Sequence, residues 1–261
     1  MLMRGNDYGK GCSSRARLHF FLGTNEPAWL PRTSIPLMLS RRRLQRRVQL
    51  PRARGKWFLD SGGFSELALY GRWTLTPREY VHLVRRYRDE IGGLELAAPQ
   101  DWMCEPVMLQ RTGLTLREHQ SRTVRNFQKL QELDDSLPWI PVVQGWTVDD
   151  YLRCVDSYDR AGVRLSYVGV GSVCRRESTQ EARAIFTALR SQGLDLHAFG
   201  VKTGGLSLYG GLLRSADSLS WSFGARKRNI RLPGCKHVKC GDCMRYAMKW
   251  RRDLLNGADK I

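Results

Sequence analysis

The stretch Lys56–Phe64, KWFLDSGGF, is the most informative part of this chain, because an apolar run ends on an acidic residue and passes directly into glycines. The run Trp57–Leu59 has the composition of a buried β-strand, and Asp60 stands where that strand ends. The two glycines that follow permit positive φ and the close approach of a ligand, while Phe64 offers a flat aromatic face. We therefore expect a strand that presents a carboxylate at its carboxyl end.

Similar apolar runs recur along the chain and alternate with amphipathic segments of helical length, which is the pattern of repeated βα units. Eight strands are predicted, at Leu18–Leu22, Ile35–Leu39, Trp57–Leu59, Leu94–Ala98, Trp139–Val143, Ser166–Val170, Leu196–Gly200 and Ser218–Ser222. Helices are predicted at Pro77–Arg88, Leu116–Leu133, Val148–Ala161, Thr179–Ser191 and Leu206–Arg214. Eight strands in 261 residues predict an α/β fold of the (β/α)8 TIM-barrel type.

Polar residues occupy the ends of most predicted strands, and in a parallel barrel these ends meet at one face. They are Asp60, Gln100, Asp101, Gln144, Gly145, Gly171, Ser172, Lys202 and Asp217. Three carboxylates at one mouth repel each other unless they have distinct partners or roles. The set indicates an enzyme.

The charge of the chain points to a polyanionic partner. Lysine and arginine total 43 residues against 25 aspartate and glutamate, a formal net charge of +18, which favours nucleic acid as the partner. The run Arg41–Arg47, RRRLQRR, predicts a short helix whose arginines fit either a solvated face or phosphate contacts. The chain has no apolar run of membrane-spanning length, so we expect no membrane partner.

The cysteine distribution indicates a reducing compartment and one metal site. Seven cysteines occur; three of them crowd near the C-terminus and the others are scattered, which is not a disulfide framework. The N-terminus also lacks the apolar core of a signal peptide, so we expect a cytoplasmic protein.

Four candidate metal ligands form a Cys-x-His-x2-Cys-x2-Cys string, namely Cys235, His237, Cys240 and Cys243. Thiolate and imidazole groups at this spacing can hold one Zn²⁺ tetrahedrally, and four protein ligands leave no open position, as in structural sites. His119 or His197 could supply the fourth ligand instead, although proximity in the sequence favours His237. We expect one structural zinc ion per chain.

A series of motifs resembles the queuine and archaeosine tRNA-guanine transglycosylases and, more closely, their DNA-acting relatives, the DpdA-type deazapurine transglycosylases. The matching segments span about Leu18 to Arg252. They are DSGGF at Asp60–Phe64, APQDWMCEP at Ala98–Pro106, VQGW at Val143–Trp146, YVGVGSVCRR at Tyr167–Arg176, FGVKTGG at Phe199–Gly205, SADSLSW at Ser215–Trp221 and the cysteine cluster. The resemblance implies a TIM barrel with a zinc module.

The resemblance also implies roles for individual residues. Asp217 would be the nucleophile that forms a covalent glycosyl ester, and Asp60 would be the general acid and base. Asp101 would accept hydrogen bonds from the guanine edge. The remaining base contacts would come from Gln144, Gly145 and Gly171, with Phe64 and Phe199 stacking on the two faces of the base.

The domain prediction has three parts: a disordered N-terminus at 1–15, a TIM-barrel catalytic domain at 16–230, and a zinc-binding segment with the C-terminal helix at 231–261. The helix of the last part is predicted from Asp242 to Leu255.

The chain is shorter than the tRNA enzymes and its candidate zinc ligands are local, which favours the DNA-acting branch. That branch exchanges guanine in DNA for 7-cyano-7-deazaguanine or a derivative. The alternatives are a tRNA-guanine transglycosylase and a non-catalytic, zinc-stabilised nucleic-acid-binding barrel. The expected setting is a bacterial cell, with the gene bacterial or phage-encoded, and a homodimer or accessory modification proteins stay open as partners.

Overall fold

The computed structural model describes residues 18–173, 180–201 and 203–258. These residues contain eight strands: β1 His19–Thr24, β2 Leu37–Ser40, β3 Trp57–Asp60, β4 Leu94–Ala97, β5 Val142–Val143, β6 Tyr167–Val170, β7 Asp195–Ala198 and β8 Ser215–Ser218. They form one sheet in the order β4-β3-β2-β1-β8-β7-β6-β5, and their pairings are parallel. The α/β class is confirmed.

The sheet curls so that its two edges meet at a single point. Ala97, at the end of β4, forms one parallel bridge with Trp139, which precedes β5. Ala97 N–H donates to Pro138 O at 2.8 Å, and Ile140 N–H donates to Ala97 O at 3.1 Å. Within the described ranges this seam carries no continuous ladder, so the structure is an eight-stranded curled parallel sheet.

Nine helices occur among the described residues: α1 Gly63–Tyr70, α2 Pro77–Ile91, α3 Pro106–Thr112, α4 Leu116–Leu133, α5 Val148–Arg160, α6 Gln180–Ser191, α7 Thr203–Tyr209, α8 Ser220–Lys227 and α9 Met244–Ala258. Threonine starts α2, α4 and α5 with a capping box, in which its side chain and an acidic side chain three residues on satisfy the free N–H groups. In the part of the chain that the structure describes, no helix has both the length and the apolar character to cross a membrane.

Some predicted boundaries are corrected by the structure. The eighth strand was predicted at Ser218–Ser222 but lies at Ser215–Ser218, because the apolar-looking residues after it start α8. The helix predicted at Leu206–Arg214 begins earlier, at Thr203, and ends at Tyr209. The C-terminal helix begins two residues later than predicted and extends to Ala258. Predictions for residues 1–15, for Thr179 and for Lys202 lie outside the described residues.

Apolar side chains form layers on both faces of the sheet. Large clusters lie between the strands and the helices, where α5 and α6 pack on β6 and β7, and α2 packs on β3. A smaller cluster made of strand and strand-flanking residues lies on the other face: Phe21, Met38, Phe58, Ala98 and Ile140. This second layer forms the floor beneath the carboxyl ends of the strands.

The arginine run after β2 is largely structural. Instead of a helix over Arg41–Arg47, the chain forms a three-residue 3₁₀ turn. Arg41 is 1% exposed and donates to Glu66 at 2.7 Å and to the Ser61 carbonyl at 3.0 Å. Arg42 also donates to Glu66, at 3.1 Å. Arg41 is therefore neutralised within the protein and is not a free phosphate ligand.

Replacing Glu66 by alanine should destabilise the fold by about 3–5 kcal/mol, because Arg41 would become an uncompensated buried charge. The side chain of Glu66 is 2% exposed and also accepts hydrogen bonds from the Thr74 N–H and hydroxyl. Urea denaturation measures the effect. The control Glu90→Ala removes an exposed pair with Arg86 and should cost less than about 1 kcal/mol. Equal effects of the two substitutions would contradict the structural role.

Candidate active site

A cavity of about 310 Å³ lies at the carboxyl ends of the strands. Seven of the residues predicted for the site line it: Asp60, Phe64, Asp101, Gln144, Gly171, Phe199 and Asp217. They come from β3, α1, β8 and the segments that follow β4, β5, β6 and β7, so the parallel topology gathers residues far apart in sequence. The polar strand ends predicted that three carboxyl groups would meet at one face, and Asp60, Asp101 and Asp217 do line one cavity.

Asp60 is the last residue of β3 and pairs in register with Ser40 of β2. Burial of its carboxyl group raises the pKa of Asp60. Hydrogen bonds from the Ser40 side chain and the Gly62 N–H counter this rise, whereas the nearby charge of Asp217 adds to it. Gly62 has a φ of 79°, as the sequence predicted. Asp60 is therefore shifted toward the protonated form, which can donate a proton.

Asp217 lies within β8 and is fixed from two sides. The Gly200 N–H donates to its Oδ1 at 3.0 Å. The Nε2 atom of the buried His197 lies 3.3 Å from the same oxygen, within ion-pair distance but without hydrogen-bond alignment. The Nδ1 atom of His197 lies 2.6 Å from Ser215 Oγ, which fixes the ring in turn. The carboxylate thus has a defined orientation in the cavity.

Asp101 is held by a network of polar side chains. Gln144 Nε2 donates to its Oδ2 at 2.6 Å, and Ser61 Oγ lies 3.5 Å from its Oδ1. Burial raises the pKa of Asp101 to about 7, despite the hydrogen bond from Gln144, and the charges of Asp60 and Glu105 add to the rise. Asp101 therefore changes protonation state near neutral pH.

Ser172 extends this network, and its contacts indicate how a proton on the Asp101 carboxyl group is accommodated. Its Oγ accepts from Cys104 N–H at 2.8 Å and lies 2.9 Å from Glu105 Oε2 and 2.7 Å from Gln144 Oε1. One hydroxyl proton cannot serve both oxygens. Inverting the Gln144 amide, so that its NH2 faces Ser172 and a protonated Asp101 donates to its oxygen, satisfies every contact.

Two residues of the network were not predicted as functional. Glu105 lies within the APQDWMCEP segment, but no local pattern places its carboxylate beside Ser172. Ser172 was noted only as a strand-end residue. It has a φ of 56°, a left-handed conformation that costs a non-glycine residue roughly 1–2 kcal/mol and commonly marks functional sites. That backbone angle cannot be read from the sequence.

Gly171 and Gly145 serve the packing of the site. A Cβ on Gly171 would lie 2.2 Å from Gln144 Nε2, so a larger residue there would displace this amide from the end of β6. Gly145 does not line the cavity; it packs against Asp150 and Tyr151 at the start of α5.

The four C-terminal candidate ligands lie together. Their ligand atoms are all within 4.8 Å of one another. Cys235 Sγ lies 3.9 Å from Cys240 Sγ and 4.0 Å from Cys243 Sγ, and His237 Nε2 lies 3.1 Å from Cys240 Sγ. Zn–S bonds of about 2.3 Å in a tetrahedron separate the sulfurs by about 3.8 Å, so the cluster is compatible with zinc.

The other two histidines that were open as fourth ligands are engaged elsewhere. His119 lies 2.6 Å from the Met103 carbonyl, and His197 lies beside Asp217. The cluster also contacts the rest of the protein, since the Leu232 N–H donates to Cys240 Sγ at 3.3 Å. His237 therefore completes the candidate metal site.

The protein has a parallel α/β sheet with a carboxylate-lined cavity at the carboxyl ends of its strands. This is the face at which enzymes of the α/β class carry their active sites. The family model described as DpdA, DeoxyPurine in DNA protein A, matches residues 16–261. The chain therefore belongs to the DpdA family, which supports a role in DNA modification and a transglycosylase-like enzyme.

Comparison with solved structures finds similarity to the YdjI aldolase from Escherichia coli K12. The two share 10% sequence identity with a TM-score of 0.44, and the match covers 94% of this chain and 89% of the aldolase. Comparison with curated proteins finds no match.

The raised pKa of Asp101 predicts a specific pH dependence of stability. Because its folded-state pKa of about 7 exceeds the ordinary 3.8, the folded protein binds more protons than the unfolded chain between these values. The contribution of Asp101 to the free energy of unfolding therefore falls as pH rises through this window. Asp101→Asn, which mimics the protonated group, should stabilise the protein relative to wild type by about 1–3 kcal/mol at pH 8 and by little at pH 4. Denaturation curves across this range measure the difference; a constant difference would contradict the shift.

Proposed function

We propose that this protein is a DNA guanine transglycosylase, which exchanges guanine in DNA for a 7-deazaguanine base such as 7-cyano-7-deazaguanine or a derivative. The observation that carries the proposal is that Asp60, Asp101 and Asp217 line one cavity. Their surroundings differ, and different surroundings assign different roles to chemically identical groups. Membership of the DpdA family supports DNA as the substrate.

In the first half of the reaction, the Asp217 carboxylate attacks C1′ of the target deoxyguanosine. The C1′–N9 bond breaks, its electron pair goes to the base, and Asp60 donates the proton that lets guanine depart. An ester between Asp217 and the sugar results. The raised pKa of Asp60 supports the role of acid, and the Gly200 N–H supports the orientation of the nucleophile.

In the second half, Asp60 removes a proton from the incoming deazaguanine, whose nitrogen attacks C1′. The ester bond breaks and the Asp217 carboxylate is restored, so the glycosidic configuration is retained, as in two-step retaining glycosidases. Because the sugar of a paired nucleotide is inaccessible to this pocket, the target nucleotide leaves the base stack first, at a cost of about a few kcal/mol.

Base recognition is assigned to the residues around Asp101. In its ionised form Asp101 accepts hydrogen bonds from the amide and amino groups of the guanine edge. When Asp101 is ionised, the Gln144 amide keeps the orientation in which one hydrogen serves Asp101, and its second hydrogen can serve the base carbonyl. The Gly171 N–H already donates to Val143 O and its carbonyl accepts from Tyr151, so the backbone donor for the base is assigned to Ser172 instead. The rings of Phe64 and Phe199 line the cavity and can stack on the base.

The finer architecture is also part of the proposal. We assign residues 16–230 to a catalytic TIM barrel, in which the Ala97–Trp139 bridge is the closing seam. Residues 231–261 form the zinc-binding segment, with Cys235, His237, Cys240 and Cys243 as the ligands of one structural Zn²⁺.

Replacing Asp217 by alanine should lower base exchange by roughly 10⁴-fold or more, because no covalent intermediate can form. The assay follows radiolabelled guanine or deazaguanine into duplex DNA, with tRNA assayed in parallel. The control Asp195→Asn changes an exposed aspartate at the opposite, amino end of β7 and should keep exchange near the wild-type rate.

Normal turnover by the Asp217→Ala variant would refute the nucleophile assignment. Label entering tRNA but not DNA would identify a tRNA-guanine transglycosylase, and exchange into neither would favour a nucleic-acid-binding protein without catalysis.

Replacing Cys240 by serine should abolish zinc binding and lower the melting temperature by about 5–10 °C, because the buried thiolate ligand is lost. Elemental analysis of the purified protein measures the metal content, with one zinc ion per chain expected for the wild type. The control Cys154→Ser removes a buried thiol outside the cluster and should retain the metal. A folded wild type that contains no zinc would contradict the assignment.

A further inference from the structure

A second cavity, of about 400 Å³, opens beside the candidate active site. We call it the arginine groove. It is lined by Arg72, Trp73, Leu75, Pro77, Gln100, Trp102, Arg122, Arg125 and Asn126. The segment before α2 with the first residue of α2 forms one wall, and the middle of α4 forms the other, so the groove lies at the carboxyl-end face of the sheet.

The arginine groove and the catalytic cavity share a wall. Asp101 faces the cavity, whereas its neighbours Gln100 and Trp102 line the groove. Trp73 belongs to the same wall, because its Nε1 donates to the Asp101 carbonyl at 3.2 Å. The segment Gln100–Trp102 therefore borders both the arginine groove and the catalytic cavity.

The three groove arginines have no ion-pair partner within the described ranges, unlike many other arginines of the protein. Arg85 pairs with Asp134, for example, and Arg41 with Glu66. The nearest acidic residue on α4, Glu118, lies one turn before Arg122 and accepts hydrogen bonds from Thr115 in the capping box. The charge of Glu118 partly offsets that of Arg122. Three guanidinium groups without an ion pair at one concave site still attract an anion.

The guanidinium group of Arg122 is already positioned by a contact within the groove. The Cζ atom of Arg122 lies 4.6 Å from the centre of the Trp102 ring, a cation–π contact. A side chain already restricted in this way loses less conformational entropy on binding. Guanidinium groups bind phosphate oxygens through paired hydrogen bonds, which matches the backbone of a nucleic acid.

We propose that the arginine groove binds the phosphodiester backbone of the DNA strand beside the nucleotide whose base enters the catalytic cavity. Arg72, Arg122 and Arg125 contact the phosphate oxygens. The inference rests on the proposed function, since it takes DNA as the substrate. Phosphate contacts of this kind fix the register of a strand without reading its sequence, and they hold the strand while the target nucleotide leaves the stack.

The test is DNA binding by the full chain, measured by fluorescence anisotropy with a labelled duplex over a series of salt concentrations. The double variant Arg122→Ala/Arg125→Ala should bind about 10–100-fold more weakly, and its slope of log affinity against log salt should be smaller by about 2, because each phosphate contact contributes about 0.9. The double variant Arg72→Ala/Arg125→Ala keeps the contact between Arg122 and Trp102. It should show the same loss of affinity and the same decrease in salt slope.

The control is Arg54→Ala/Arg164→Ala, which removes the same charge from exposed side chains that precede β3 and β6 at the opposite edge of the sheet. It should leave the salt slope near that of the wild type, and thermal melting verifies that all variants are folded. Equal slopes for groove and control variants, or a loss confined to tRNA, would overturn the inference.

The outcome is separable from that of base exchange. Groove-dependent DNA binding without exchange would refute the proposed catalysis alone, and exchange with groove-independent binding would refute the arginine groove alone.

Discussion

Electrostatic repulsion among buried carboxyl groups is the constraint on which this site depends. Asp60, Asp101 and Asp217 line one cavity, and three negative charges in a poorly solvated space raise the free energy of the folded state. The protein accommodates them by different means. Protonation is favoured at two of them, Asp60 and Asp101, while Asp217 accepts the Gly200 N–H. The division of roles proposed for the reaction is therefore a consequence of how the fold separates three similar groups.

The groups that orient the carboxyl groups of the site are mostly neutral. A hydroxyl network centred on Ser172 fixes the amide of Gln144, and His197 lies against Asp217 from below. By contrast, three arginines that form no ion pair among the described residues line the neighbouring groove. This arrangement concentrates positive charge beside the cavity, where the proposed phosphate contacts lie. Part of the positive charge of the chain therefore lies next to the acidic cavity, on Arg72, Arg122 and Arg125.

Much of this organisation could be predicted from the sequence, because apolar runs ending in polar residues are a local signal. Helix α4 was predicted with both bounds correct, since a threonine cap and a regular apolar period define it. The predicted position of strand β8 was wrong by three residues at its start. Ser215–Ser218 is buried yet contains three polar residues, so the sequence shows no apolar pattern there. The pairing of Arg41 with Glu66 and the contact of Ser172 with Glu105 were missed, since both join residues distant in sequence.

The most direct test of the account is to trap the covalent intermediate and find its site of attachment. The protein is mixed with a duplex oligonucleotide without incoming base, denatured in acid, digested and analysed by peptide mass spectrometry. If Asp217 is the nucleophile, a deoxyribose-linked adduct is expected on the peptide that contains Asp217 and none on the peptide that contains Asp60. An adduct on Asp60, or base exchange that proceeds with no adduct on either peptide, would contradict that assignment.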